Sequence, residues 1–146
     1  MELCKVKVYE KKNHIIGVKV EELPEEWIPF SREPYYNLEE LVQEVKDEMF
    51  QGTFDGISSI TWTDKAYRTY YGIHYMDNHS IKINSVLNSR DVPKEVVKFV
   101  IYHELLHRDN PNHDQAFREK EHKYHRYEEW ESFLFNNMLK FDIAEW

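Results

Sequence analysis

The chain has a single cysteine, Cys4, in 146 residues. No internal disulfide can form, and there is no cysteine cluster to hold a structural zinc. Cys4 reads as a small buried side chain in a strand, and a reducing, cytoplasmic setting is the expectation. Basic charge is also short, with 19 Lys and Arg against 27 Asp and Glu and a net charge of −8. That balance argues against a generally basic nucleic-acid-binding surface. A local patch would have to come from Lys11 with Lys12, or from Arg118, Lys120, Lys123 and Arg126. No apolar run approaches the roughly 18 residues of a membrane span, and no basic-then-apolar leader opens the chain. Internal repeats and low-complexity tracts are missing. A hydrophobic content of 41% and an aromatic content of 15% exclude a disordered chain. The length suits one domain, 1–146, with a hairpin and connection over 1–36 and a core over 37–140.

The residues that carry chemistry lie between Val96 and Phe117. His103-Glu104-Leu105-Leu106-His107 is an HExxH motif. On a helix, side chains four apart share a face, so both imidazoles can reach one metal ion. Glu104 lies about 60–100° further round, where its carboxylate can touch a water at the metal without being a ligand. A catalytic zinc takes three protein ligands and leaves one position for water. His113 follows after five residues, past a break at Asn110-Pro111-Asn112, and is the candidate third ligand; Glu119 and Glu121 are the reserves. The motif ends a run of Val96, Val97, Phe99, Val100, Ile101, Tyr102, Leu105 and Leu106, apolar nearly all round and therefore buried. Unpaired polar groups on such a helix cost about 2–7 kcal/mol each. A metal is one way to satisfy them. Core histidines bonded to backbone are the other.

These residues resemble the SprT-like zinc metallopeptidase domain, and the ending is most similar to its YgjP-like and WLM-like branches. Those branches carry HELxH, five residues, then a third His in a pattern like NHxxxF. Here that is His103, Glu104, His107 and then Asn112-His113 with Phe117. Leu38 to Phe50 looks like the family's first helix and Ile57 to Asp64 like its first strand. Tyr71 to Tyr75 with Ile81 to Asn84 is similar to the hairpin before the metal helix, so roughly residues 37–135 are covered. The resemblance implies an α+β, zincin-like metallopeptidase domain. A small mixed or antiparallel sheet would pack on the HExxH helix, with an N-terminal β-hairpin and C-terminal helices. It also implies one Zn²⁺ per chain and a protein or peptide substrate. Some SprT proteins carry a second zinc module after the core; with no cysteine cluster, this chain is a minimal version. YgjP-like members often have a Pro where this chain has His125.

Along the chain, Leu3 to Val20 alternates about a turn at Lys11-Lys12-Asn13 and predicts a β-hairpin. Residues 21–36 form an extended connection pinned by Trp27, Phe30, Tyr35 and Tyr36. Asn37 caps a helix with a stripe of Leu38, Leu41, Val42, Val45 and Met49, stopped at Gly52. Strands are expected over Ile57 to Thr63, with Ile60 and Trp62 on one face, then Tyr70 to Met76 and Ser80 to Asn84, the last two joined at Asp77-Asn78-His79. Asp91 reads as the N-cap of the metal helix, with Pro93 in its first turn. A helix through Phe117 and Tyr124 and another over about Tyr127 to Leu139 complete the pattern. His74 and His79 read as packed or solvated, and His122 and His125 as surface residues.

The ligand set sets the chemistry. Three neutral imidazoles leave a zinc its full charge and lower the pKa of a bound water to about 7. Glu104 then acts as general base toward that water and as acid toward the leaving amine. Arg118, Tyr124 or a tyrosine of the 70–75 strand could steady the oxyanion, and Asp109 and Asp114 could accept the ligands' ring N–H groups. Two other readings compete: a non-catalytic zinc-binding scaffold for a partner, and a protease tethered to nucleic acid. Glu104 favours the enzyme over the scaffold, because zinc binding does not require it. The net charge weighs against nucleic acid. Nothing in the sequence sets the oligomeric state.

Overall fold

The computed structural model describes residues 10–11, 14–15, 20–31, 34–137 and 143. Its first elements are β1 (Glu10–Lys11) and β2 (His14–Ile15), antiparallel, with Glu10 opposite Ile15 and Lys11 opposite His14. They occupy the centre of the expected hairpin. Its outer arms, Cys4, the Lys12-Asn13 turn and the expected helix end at Met138 and Leu139 lie outside the described residues. The connection that follows is pinned by its own backbone: the Leu23 N–H donates to Ala66 O at 2.9 Å and the Arg68 N–H to Glu21 O at 2.9 Å. The Arg68 guanidinium lies over Trp27, and the Tyr36 hydroxyl donates to Val92 O.

Helix α1 (Leu38–Met49) starts where Asn37 Oδ1 accepts the Glu40 N–H, and it buries Leu38, Leu41, Val42 and Val45. It stops because Gln51 and Gly52 take left-handed φ values of 57° and 96°. In that conformation the N–H groups of Phe50 and Gly52 both reach the Lys46 carbonyl. The sheet comprises β3 (Ser59–Trp62), β4 (Gly72–Tyr75) and β5 (Ser80–Ile83) in the order β3-β5-β4. β3 runs parallel to β5 and β4 antiparallel to it, so the sheet is mixed.

Helix α2 (Lys94–Leu106) is the centre of the fold, touching α1, β4 and β5, α3 (Gln115–Glu121) and α4 (Tyr127–Asn137). Every residue from Val96 to Leu106 is buried. Its start corrects the expectation. Pro93 is the N-cap residue, two positions later than Asp91. The Asp91 carboxylate instead accepts the Ser31 N–H at 3.3 Å, tying the N-terminal connection to the helix entrance. The helix expected to run through Tyr124 ends at Glu121. Successive turns follow, with Arg126 at φ 58°. Trp130 Nε1–H donates to His125 O at 2.9 Å and anchors the start of α4. Among the described residues no helix is long and apolar enough to cross a membrane.

Candidate metal centre

His103 and Glu104 sit in the last turn of α2, and His107 is its C-cap residue, still helical at φ −68° and ψ −14°. The chain turns through residues 108–112 and returns with His113, immediately before Asp114 caps α3 by accepting the Phe117 N–H at 2.9 Å. The three Nε2 atoms form a triangle: 3.2 Å from His103 to His107, 3.2 Å from His103 to His113, and 3.0 Å from His107 to His113. His103 and His107 are 0% exposed and His113 9%. Phe117, also fully buried, packs against all three rings at centroid distances of 4.8, 4.5 and 5.0 Å.

Hydrogen bonding fixes two of the tautomers. His103 Nδ1 lies 2.6 Å from Glu121 Oε2, and a carboxylate can only accept, so the proton is on Nδ1. His107 Nδ1 lies 2.8 Å from the Asn110 carbonyl, which again can only accept. Both rings therefore present an Nε2 lone pair to the other at 3.2 Å. Two converging lone pairs in a buried site repel each other unless a proton or a cation lies between them. A proton is disfavoured. Burial above all, then the charges of His113 and Arg118, holds the His103 imidazole well below its ordinary 6.5. His107 is held well below 6.5 in the same way, by burial first and then by His103 and His113. A metal ion fits: nitrogens at the usual 2.0–2.1 Å from a tetrahedral zinc stand about 3.3 Å apart, close to the edges of this triangle.

Glu104 is 0% exposed, with Oε2 4.0 Å from His103 Nε2. It lies against Gly72 of β4, where a Cβ would sit 2.8 Å from Glu104 Cγ and 3.0 Å from Oε2. The missing side chain of Gly72 makes room for this carboxylate. The Glu104 backbone is held as well. Its carbonyl accepts from His74 Nδ1–H at 3.0 Å, and His74 Nε2 in turn meets His79 Nδ1 at 2.8 Å. His74 is thus packed in the core, bonded to the turn that carries the motif.

No family model matches the sequence, and no curated protein matches it. Among solved structures, the metallopeptidase zymogen of Pyrococcus abyssi abylysin is similar with a TM-score of 0.56 at 15% identity, over 74% of this chain and 100% of that one. The chain has a metallopeptidase-like fold. At this identity the likeness is one of fold alone, and it does not place the chain in the SprT-like or YgjP-like family.

In this metallopeptidase-like domain Asp109 pairs with Arg108 at 2.8 Å and Asp114 caps α3. Glu121 and the Asn110 carbonyl meet Nδ1 of His103 and of His107. Glu121 approaches His103 from Nδ1, the side of the ring away from the Nε2 triangle, and its other oxygen accepts from Arg118 at 2.8 Å. The fully buried Glu121 therefore stands outside the Nε2 triangle, on the far side of the His103 ring. Of the oxyanion candidates, Arg118 bonds Glu121 at 2.8 Å and the Tyr124 hydroxyl bonds Glu95 at 2.6 Å. Tyr70, Tyr71 and Tyr75 are all buried, and burial raises the Tyr71 phenol above its ordinary range, leaving it a neutral hydroxyl. His122 stacks on Tyr127 at 4.1 Å and His125 on Tyr124 at 4.6 Å.

Two further groups, Glu48–Glu95–His125 and Glu121–His122–Glu131, bring possible donor atoms together. The first already surrounds a cation. Lys98, 2% exposed, places its ammonium 2.6 Å from both Glu48 oxygens and 3.3 Å from Glu44 and Glu95. In the second, Glu121 is engaged by His103 and Arg118.

Proposed function

We propose that the chain is a zinc-dependent peptidase that binds one zinc through Nε2 of His103, His107 and His113. Glu104 is its general base. The observation that carries this reading is the pair of tautomer-fixed Nε2 lone pairs facing each other 3.2 Å apart, completed by His113 and flanked by a buried carboxylate. A zinc held by these three imidazoles would supply Lewis acidity toward a peptide carbonyl and would bring the pKa of a water to about 7. Glu104 takes the proton from the attacking water and delivers it to the leaving amine. Gly72 and His74 hold Glu104 for that transfer, one by leaving space for the side chain and the other by bonding its carbonyl. Glu121 and the Asn110 carbonyl keep two imidazoles in the tautomer that ligates.

The experiment is a proteome-wide cleavage screen comparing the protein with Glu104→Gln, together with elemental analysis of both. Gln keeps the shape but cannot accept a proton. The variant should hold about one zinc and melt where the parent does, while every cleavage specific to the parent disappears. Identical cleavage patterns would refute the peptidase assignment. Loss of zinc in the variant would make Glu104 structural and favour the scaffold reading.

A further inference from the structure

Beside the metal helix lies a pocket with a volume of about 540 Å³, within the range of about 300–1,000 Å³ typical of small-molecule sites. Tyr102 and Leu106 line it, each one residue before a motif histidine and so about 100° round the helix. Its apolar wall is aromatic. Phe50 packs on Phe54 at 4.4 Å and on Tyr102 at 5.6 Å, and the Arg108 guanidinium lies 3.9 Å from the Phe54 ring centre. Its charged lining is Arg108, Lys120 and Lys123 against Asp55 and Asp109. Arg108 and Asp109 are bonded to each other, so they cancel. Asp55 turns its carbonyl to Arg108, and its carboxylate still counts, which leaves the lining with one positive charge in excess.

Two exposed ammonium groups remain. Lys120 Nζ donates to Asn110 Oδ1 at 2.8 Å, and Lys123 makes no ion pair among the described residues. In a chain of net charge −8, this lining has a cationic excess above an aromatic wall. The cluster of Arg118, Lys120, Lys123 and Arg126 is divided: Arg118 bonds Glu121 and Arg126 bonds Glu129, while the two lysines converge on the pocket.

We propose that this pocket binds a small organic anion with a planar apolar body, such as an aromatic carboxylate or sulfonate. The rings take the flat body, and Lys120 and Lys123 take the anionic group by charge-assisted hydrogen bonds. The site is separate from the Nε2 triangle, and its occupation does not depend on peptidase activity. It nevertheless lies two hydrogen bonds away, since Lys120 holds Asn110 and the Asn110 carbonyl holds His107.

The test is fluorescence titration of the full chain with 1-anilinonaphthalene-8-sulfonate, alongside the uncharged N-phenyl-1-naphthylamine. The sulfonate should bind saturably at one site per chain and at least about tenfold more tightly than the uncharged amine. Lys123→Met should weaken it several-fold, and Lys120→Met with Lys123→Met at least about tenfold, with thermal melting unchanged because both side chains are exposed. Phe54→Ala should also weaken it. Unsaturable binding, equal affinity for the uncharged amine, or full affinity in the folded double variant would overturn the proposal.

Discussion

Gly72→Ala perturbs the proposed general base, Glu104, while leaving the imidazoles alone. Gly72 pairs with Ile83 in the sheet and does not need a left-handed φ, so the backbone accepts alanine and only space is in question. The new Cβ would meet Glu104 Cγ at 2.8 Å, Oε2 at 3.0 Å and Cδ at 3.1 Å, where ordinary contact begins at 3.4 Å. Strand and carboxylate must therefore separate by about 0.6 Å or more. Neither yields freely, since β4 is bonded to β5 and the Glu104 carbonyl is held by His74. Overpacking of this kind costs about 1–3 kcal/mol, offset by about 0.4–1 kcal/mol from the stiffer unfolded chain. The net loss of up to about 2.6 kcal/mol should lower the melting temperature by up to about 5–10 °C. A misplacement near 1 Å at a reacting group costs about 100-fold, so kcat/KM should drop about 10- to 100-fold. The assay uses a peptide identified by the cleavage screen, with zinc affinity measured by competition with a chelator. Zinc affinity should not change. Full activity in a folded Gly72→Ala protein would refute the argument that Gly72 is there for Glu104.

Glu121→Gln should weaken zinc binding about 10- to 100-fold, because it removes the charged partner of His103 Nδ1–H; unchanged affinity in chelator competition would dismiss that role. In metal-free protein, the depressed pKa values of His103 and His107 mean that below about 6.5 the unfolded chain binds protons the folded state refuses. Stability should be insensitive to these residues above about pH 7.5. It should then fall by up to about 1.4 kcal/mol per imidazole for each pH unit below 6.5, and a flat urea midpoint in EDTA from pH 8 to 5.5 would contradict it. Lys98→Met should destabilise the fold by about 1–3 kcal/mol, a discounted buried-pair loss because Glu44 and Glu48 are partly exposed. An equal or higher urea midpoint at pH 7 would show the ammonium to be dispensable.

Local signals were legible where local physics decides. Asn37 caps α1 and Gly52 stops it because capping and left-handed turns are read within a few residues. The HExxH spacing predicted two imidazoles on one face, and the structure brings both together with His113. The partners of these groups were not legible, since they come from elsewhere. Glu121 stands 18 residues beyond His103, and the acceptor at His107 is a backbone carbonyl, which no residue type announces. From the sequence His74 reads as a packed or solvated strand histidine, because its bond to the Glu104 carbonyl depends on how β4 meets α2. Asp91 has the chemistry of an N-cap, but the fold uses it on Ser31. Lys98 left a signal that could have been read: a lone cation within Val96-Val97-Lys98-Phe99-Val100, and a Glu44–Glu48 pair four apart on α1.

These long-range partners answer a problem that α2 poses. A helix buried on every side has no amphipathic stripe to choose its rotation, and apolar burial is non-directional. Turning α2 by one residue, about 100°, would exchange one apolar face for another at little cost in buried area. It would not be neutral for the polar groups. Lys98 is matched to Glu44 and Glu48 of α1, the Tyr102 hydroxyl to the Lys120 carbonyl, His103 to Glu121, and the Glu104 carbonyl to His74 of β4. Each would lose its partner inside the core at about 1–3 kcal/mol or more. The polar contacts therefore select one rotation among several that packing alone would accept. The selected rotation points His103 and His107 at His113 and places Glu104 against Gly72. Orientation of the helix and assembly of the candidate site are thus one physical event.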